Sequence, residues 1–393
     1  MFMNPVDYDV VIIGCGPAGT TTARVAAQKG LKVLLVDKRQ ELGAPIQCSG
    51  ALSASALEDA DIDPNAEFVQ DEIFGFRVYN EVGDQSNIDY RILKPEKYGI
   101  GVDKKPLGYV VDRRRFDRYL MTLAERAGAE VWLKTEGVSY KPLDDYTCEV
   151  YLRKFNKEII VRTKVLVGAD GLQSQVGKWA GLDTHIKMTE LASCLQFVVD
   201  GVETNGMLEI ITGHEWAPGG YAWLFPKGHG YAEVGLGVIR TMTKQNAQWH
   251  LDHFINNSFL KERLKHARIL EVQGGGVPLA APLRTQYAAN LILVGDAARH
   301  VNPITGGGLH TALIGGMIAG GFLAELIQSG SNTSAENLKG YQNHWEEGLG
   351  NKMWQLYHVK KSIFKMEDID QRNLKLYETM SDYFNPHSVY KKV

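Results

Sequence analysis

The hydrophobic pattern changes character three times along the chain. At the N-terminus, Tyr8 to Ile13 is apolar at all positions but Asp9 and does not alternate, which predicts a buried strand. A glycine turn follows, then a helical stretch from Pro17 to Lys29 and a second apolar run from Leu31 to Val36. Strand, helix and strand within about 30 residues make a βαβ unit and so a parallel sheet. Further on, Phe116, Leu120, Leu123 and Ala127 recur at helical spacing, and Ala129 to Lys134 reads as the next strand. Val150 to Ile160 alternates poorly and predicts an antiparallel ribbon, while Thr163 to Gly168 is again a buried strand.

From Leu191 to Val277 the pattern becomes short runs punctuated by aromatics and glycines, as in an antiparallel sheet, with one helix near Gln245 to Phe254. Asn290 to Val294 returns to a buried parallel strand. Thr333 to Tyr383 is helical and charged, and Thr333 with Glu336 forms a capping-box pattern. The apolar stretch Leu309 to Ile327 is long enough to consider as a membrane span. It is broken by His310, Thr311, Glu325 and several glycines, so a buried helix packed on a sheet or ligand is expected.

Composition removes several function classes. A formal net charge of -3 over 393 residues gives no footprint for nucleic acid, and the basic run Arg113-Arg114-Arg115 is too short to change that. The four cysteines, Cys15, Cys48, Cys148 and Cys194, are scattered without metal-ligand or redox-motif spacing. No metal site, iron–sulfur cluster or disulfide framework is expected, and the usage fits a reducing cytoplasm. Met1 to Tyr8 runs into a strand without the marks of a signal peptide.

Gly14-Cys15-Gly16-Pro17-Ala18-Gly19 fits G-x-G-x-x-G between strand and helix. The first glycine permits the tight turn, the second lets backbone approach a pyrophosphate, and the third packs helix on sheet. Asp37, followed by Lys38, ends the second strand eighteen residues after Gly19, where a carboxylate can accept from ribose hydroxyls. This fingerprint alone specifies a dinucleotide, not which one. A second motif points to FAD: Leu293-Val294-Gly295-Asp296-Ala297-Ala298, then Pro303-Ile304-Thr305-Gly306-Gly307-Gly308-Leu309. A strand-end aspartate can reach a flavin ribityl chain, and a glycine-led helix start can face the flavin edge that becomes negative on reduction.

Gly168-Ala169-Asp170-Gly171 resembles the DG motif of the aromatic-hydroxylase flavoprotein superfamily, and Arg113 with Phe116-Asp117 resembles its helix that approaches FAD. These motifs, together with the loop at Cys48 taken up below, give as expected cofactor contacts Gly14, Gly16, Pro17, Ala18, Gly19, Asp37, Lys38, Cys48, Ser49, Ala51, Arg113, Gly137, Asp170, Asp296, Gly307, Gly308 and Leu309. The expected fold is α/β: a Rossmann-type FAD-binding domain with an inserted antiparallel-sheet substrate domain and a helical C-terminus. FAD-domain segments at 1–78, 112–183 and 281–330 alternate with substrate-domain segments at 79–111 and 184–280, followed by a helical region at 331–393.

Tyr221-Ala222-Trp223-Leu224-Phe225-Pro226-Lys227-Gly228-His229-Gly230 is similar to the Y-x-W-x-F-P-K-G-x-G segment of archaeal geranylgeranyl reductases. Aromatics at alternate positions share one strand face, which suits a long unsaturated ligand. The resemblance implies substrate contacts at Tyr221, Trp223 and Phe225. It also implies FAD-dependent hydrogenation of C=C bonds in the polyprenyl chains of ether lipids, with Cys48 and Tyr221 as catalytic candidates.

Pro45-Ile46-Gln47-Cys48-Ser49-Gly50-Ala51 looks like that family's P-x-x-C-G-E-G loop but lacks its glutamate, and Asn302 stands where many relatives have aspartate. No second nucleotide fingerprint is visible, since Gly274-Gly275-Gly276 runs into Pro278 and not a helix. Electrons must then come from an external donor: ferredoxin, a reduced deazaflavin or NAD(P)H. A lipid substrate implies transient contact with the inner membrane face. The alternatives are a flavin monooxygenase or halogenase, and a lipid-binding flavoprotein without turnover.

Overall fold

The computed structural model describes residues 7–89 and 105–385. Tyr8–Ile13 lies at the centre of a parallel sheet, with Val33–Val36 and then Glu130–Trp132 on one side. On the other side come Lys157–Gly168 and Leu291–Leu293, with the short Tyr287–Ala288 antiparallel at the edge. The central strand is buried at every position but Asp9, which explains why its other positions are all apolar.

The ribbon and the strand expected at 150–160 and 163–168 share one twelve-residue strand, Lys157–Gly168. Its first half pairs antiparallel with Cys148–Lys154 and is largely solvated. Its second half is parallel to Tyr8–Ile13 and buried. The hydrophobic pattern changes within the strand because its surroundings do.

Helix Leu309–Gln328 packs against helix Pro17–Gln28 on one face of this sheet. A Cβ on Gly316 would lie 2.7 Å from the Ala18 carbonyl oxygen, and one on Gly320 2.8 Å from that of Thr22. These glycines let the two backbones touch, and so hold both helix N-termini at the same end of the sheet. By length and hydropathy Leu309–Gln328 could cross a membrane, yet here its glycine face is buried in the protein core.

The second sheet has the order Arg268–Pro278, Leu191–Asp200, Tyr231–Ile239, Tyr221–Pro226, Met207–Thr212, Gly75–Tyr79, Gln85–Asp89. It extends beyond the expected 191–277, and its pair Met207–Thr212 with Gly75–Tyr79 is parallel within an otherwise antiparallel sheet. Gln85–Asp89 carries polar residues at four of its five positions, so hydrophobic patterning gave no sign of it. The boundary expected after residue 78 falls inside the strand Gly75–Tyr79, and residues 90–104 of the expected 79–111 segment lie outside the described residues. A small sheet of Ala51–Ser53, Gly108–Val111 and Val69–Ile73 bridges the two halves.

Helix Ala247–Asn257 covers one face of the second sheet through Leu251 and Phe254. The opposite face, carrying Trp223 and Phe225, meets Ile304, Leu356 and Met380. Leu356 and Met380 belong to the C-terminal helices Asn351–Phe364 and Ile369–Phe384. The preceding helix, Ala335–Trp345, is capped by Ser334 and not Thr333. Thr333 is instead buried and accepts a hydrogen bond from Asn290 Nδ2 at 2.7 Å, a long-range partner that outcompetes local capping.

Candidate active site

The three fingerprint glycines do three different things. Gly14 has φ +113°, and a Cβ there would sit 2.1 Å from the Ala169 carbonyl oxygen. A Cβ on Gly19 would meet the Gly14 carbonyl oxygen at 1.9 Å, while one on Gly16 would find nothing within 4 Å. The first and third are needed by the fold. The second faces an open cleft.

That cleft, of about 310 Å³, is lined by Gly16, Pro17, Ala18, Arg39, Cys48, Arg113, Gly171, Asp296, Gly308 and Leu309 among others. Helices Pro17–Gln28 and Leu309–Gln328 both begin beside it at glycines, and neither has a side-chain cap. By contrast Arg113–Arg126, Ala247–Asn257, Ala335–Trp345 and Ile369–Phe384 are capped by Asp112, Asn246, Ser334 and Asp368. First-turn amides with no side-chain cap, at the positive end of two helix dipoles, suit a ligand that carries negative charge beside these helix starts.

Asp296 points the same way. Its carboxylate lines the cleft and has no hydrogen-bond partner among the described residues, and burial holds its pKa above the usual carboxylate range against the pull of Arg113. Asp296 is half-buried, so its carboxylate presents acceptors to whatever fills the cleft. The hydroxyls of a flavin ribityl chain can donate to them, so the cleft fits FAD.

Other expected contacts are differently engaged. Asp37 accepts from Cys15 N at 2.8 Å, from Arg39 N at 2.8 Å, and from Arg39 Nε and Nη2 at 2.9 and 2.7 Å. Although burial opposes its charge, Arg39 and these amides hold Asp37 below the usual carboxylate range. Its acceptor positions are filled, and Arg39 is the residue that reaches the cleft wall. Patterning gave no signal for Arg39 beyond its place two residues after Asp37.

Lys38 is exposed. Asp170 accepts from the Ser174 hydroxyl at 2.7 Å and from the Gln175 and Val176 amides at 2.6 and 3.0 Å, so its carboxylate organises the loop whose Ala169 and Gly171 line the cleft. Gly137 packs against Ile13 and Trp179 and is not among the cleft-lining residues. Arg113 pairs with Asp117 at 2.9 Å and faces Cys48; although burial works against its charge, these neighbours raise its pKa further.

A second cavity, of about 360 Å³ and mainly apolar, adjoins the cleft at Cys48, Gly308 and Leu309. Ser49, Ala51 and Gly307 line this cavity and are not among the residues lining the cofactor cleft. Tyr221 and Phe225 form part of its wall. Tyr221, Trp223 and Phe225 make a chain of rings with centroids 5.8 and 6.2 Å apart on one strand face. Tyr221 donates its hydroxyl hydrogen to the Thr305 carbonyl, and burial raises its pKa.

Lys227 makes a buried ion pair with Glu233 at 2.9 Å and donates to the Ser49 carbonyl at 3.1 Å. Its side chain therefore ties the aromatic strand to the loop carrying Cys48, whose sulfur accepts from Gly50 N at 3.4 Å. Met353, Leu356, Tyr383 and Phe384 of the C-terminal helices close the remaining wall. Nothing in the C-terminal sequence marked them beyond helical spacing.

Comparison with known proteins agrees with this arrangement. A family model described as the geranylgeranyl reductase catalytic domain matches residues 190–277, and one described as pyridine nucleotide-disulphide oxidoreductase matches 8–193. The chain is 38% identical over 368 residues to the digeranylgeranylglycerophospholipid reductase of Methanothrix thermoacetophila, covering 93% of this chain and 90% of that one. A geranylgeranyl bacteriochlorophyll reductase-like protein from Thermoplasma acidophilum has a crystal structure similar to this one. The TM-score is 0.87 at 32% identity, over 98% of this chain and 95% of that one. A triple mutant of the flavin-dependent brominase Bmp2 shares the fold alone, with a TM-score of 0.73 at 19% identity over 98% of both chains. The chain belongs to the digeranylgeranylglycerophospholipid reductase family of FAD-dependent oxidoreductases.

Proposed function

We propose that the protein hydrogenates C=C bonds in the geranylgeranyl chains of an ether-linked glycerophospholipid. The observation that carries this reading is the junction of an apolar cavity, walled by Tyr221 and Phe225, with the cofactor cleft at Cys48, Gly308 and Leu309. FAD, when bound and reduced, supplies hydride to one carbon of the alkene.

The protein's own groups do the rest. Gly16, Pro17 and Ala18, at the start of the first helix, would hold the pyrophosphate, and Asp296 would accept from the ribityl chain. The amides of Gly308 and Leu309, which line the cleft, would stabilise negative charge on the bound FAD, whereas the Gly307 amide is taken by the Thr305 hydroxyl at 3.2 Å. Tyr221, Phe225 and the C-terminal helices would hold the prenyl chain and keep water away from it, while Trp223, which is not in the cavity wall, packs between the two rings and backs them. An unactivated alkene accepts hydride poorly, so positioning in a dry cavity supplies much of the catalysis. Cys48, where cavity and cleft meet, contacts both ligands.

In this reading the FAD-binding segments and the second sheet act as interleaved domains. The electron donor is external, drawn from ferredoxin, a reduced deazaflavin or NAD(P)H, and the protein works in the cytoplasm with transient contact at the membrane surface. The test is anaerobic incubation of dithionite-reduced protein with digeranylgeranylglyceryl phospholipid, followed by mass spectrometry. Successive gains of one H₂ per double bond are expected. No gain with any prenyl lipid, or oxygen-dependent hydroxylation or halogenation instead, overturns the proposal.

A further inference from the structure

Saturating an alkene takes a proton as well as a hydride, and the cavity contains one phenol whose hydrogen has no protein acceptor among the described residues. The Asn302 amide fixes its direction. Asn302 is buried, and its Oδ1 accepts from Ile304 N at 2.9 Å and Thr305 N at 3.1 Å. Two backbone donors on that atom leave only one orientation for the side chain, with Nδ2 on the far side. Nδ2 donates to the Tyr383 hydroxyl oxygen at 2.9 Å. Tyr383 is therefore an acceptor in this bond, and its own hydrogen is left for a ligand.

The same side chain lines the apolar cavity, next to Gly306 to Leu309 and close enough to Tyr221 for the two phenols to interact electrostatically. Tyr221 is the less suitable donor, because its hydrogen is committed to the Thr305 carbonyl.

We infer that Tyr383 is the general acid, a catalytic residue that delivers the proton to the second alkene carbon, with Asn302 as the residue that positions it. This rests on the reductase reading above. For each bond saturated, one carbon–carbon π bond breaks and two C–H bonds form. The hydride, with its electron pair, comes from the reduced flavin, which returns to its oxidised form. The proton comes from the Tyr383 O–H, whose bonding pair stays on oxygen. Asn302 Nδ2 is already directed at that oxygen and stabilises the phenolate, which regains its proton from water as product leaves. Burial raises the Tyr383 pKa and the Asn302 hydrogen bond opposes that rise.

The experiment compares wild type with Tyr383→Phe and Asn302→Asp. Phenylalanine keeps the ring and removes only the acid. Aspartate can still accept from Ile304 N and Thr305 N, but its second oxygen captures the phenol hydrogen in place of donating to it. Reoxidation of dithionite-reduced enzyme by digeranylgeranylglyceryl phospholipid is followed anaerobically, and lipid affinity is measured separately. Both variants are expected to lose about 100-fold or more in turnover with lipid affinity unchanged.

A readout without cofactor or substrate accompanies this. Tyrosinate absorbance of the apoprotein is recorded with and without the Tyr383→Phe substitution, in the wild-type and the Asn302→Asp backgrounds. Each difference isolates Tyr383. Its ionisation moves to higher pH in Asn302→Asp than in wild type. Wild type that never reoxidises with lipid overturns the reductase reading. Active wild type with a fully active Tyr383→Phe variant overturns this inference, as does unchanged Tyr383 ionisation in Asn302→Asp. If Tyr383→Phe does not fold, the Asn302→Asp turnover and lipid affinity decide the matter.

Discussion

The Lys227 ammonium donates to the Ser49 carbonyl at 3.1 Å while paired with Glu233 at 2.9 Å. One cation thus couples the aromatic strand that walls the cavity to the loop that brings Cys48 against the cleft. With exposures of 8% and 0%, neither partner has water to fall back on.

Breaking the pair by Lys227→Met leaves Glu233 buried and unpaired, and is expected to cost roughly 3–5 kcal/mol of stability in urea unfolding. Adding Glu233→Leu removes the stranded charge and recovers much of that loss. The double variant still lacks the tie to Ser49, so Cys48 is expected to alkylate faster than in wild type. Equal alkylation rates would show that the loop is held by other contacts.

The fingerprint glycines separate folding from cofactor binding. Gly14→Ala places a side chain on backbone with φ +113° and into the Ala169 carbonyl, and is expected to cost more than about 3 kcal/mol. Gly16→Val adds its side chain to open space. It is expected to leave apoprotein stability unchanged and abolish FAD retention on gel filtration, checked by flavin absorbance. Flavin retained by Gly16→Val would move the pyrophosphate away from this helix start.

Asp296→Asn tests the unpartnered carboxylate. A hydrogen bond to a charged group contributes about 1.5–3 kcal/mol, so FAD should bind on the order of tenfold to a hundredfold more weakly by titration calorimetry. The apoprotein behaves oppositely. Because burial raises the folded-state pKa of Asp296, its contribution to stability is full below the ordinary carboxyl value of 3.8 and is lost as pH rises through the raised value. Apo Asp296→Asn is expected to lack that loss and to be the more stable form at neutral pH.

Lys360 gives a pH effect of the other sign. It lies buried on the helix Asn351–Phe364, donates to the Leu279 carbonyl, and is pulled by burial down to about 8 from 10.5. Between pH 8 and 10.5 the unfolded chain binds a proton there that the folded one has released, so stability should rise with pH across that window. Chemical denaturation of wild type and Lys360→Gln at several pH values checks this. A rise of equal size in both would assign it to other groups.

What the sequence could carry is periodicity that the backbone itself imposes. Tyr8 to Ile13 is apolar at every position but Asp9 because a central parallel strand is covered on both faces. The Tyr221, Trp223, Phe225 alternation puts three rings on one face whatever the rest of the chain does. The glycine turn was readable for the same reason, since only glycine tolerates the backbone at Gly14. Where surroundings change within an element the pattern misleads, as in Lys157–Gly168, which is half solvated ribbon and half buried core.

The sequence by itself therefore determined the βαβ unit, the dinucleotide cleft and the aromatic face, all products of local backbone geometry. Only the tertiary structure decided that Arg39 occupies Asp37, that Lys227 holds the Cys48 loop, and that Gly75–Tyr79 joins the second sheet in parallel. It alone set Asn302 against Tyr383, 81 positions away in the chain. Each of these depends on which surfaces meet once the chain has closed. A polar side chain takes the partner that burial leaves within reach, and residue order does not encode that directly.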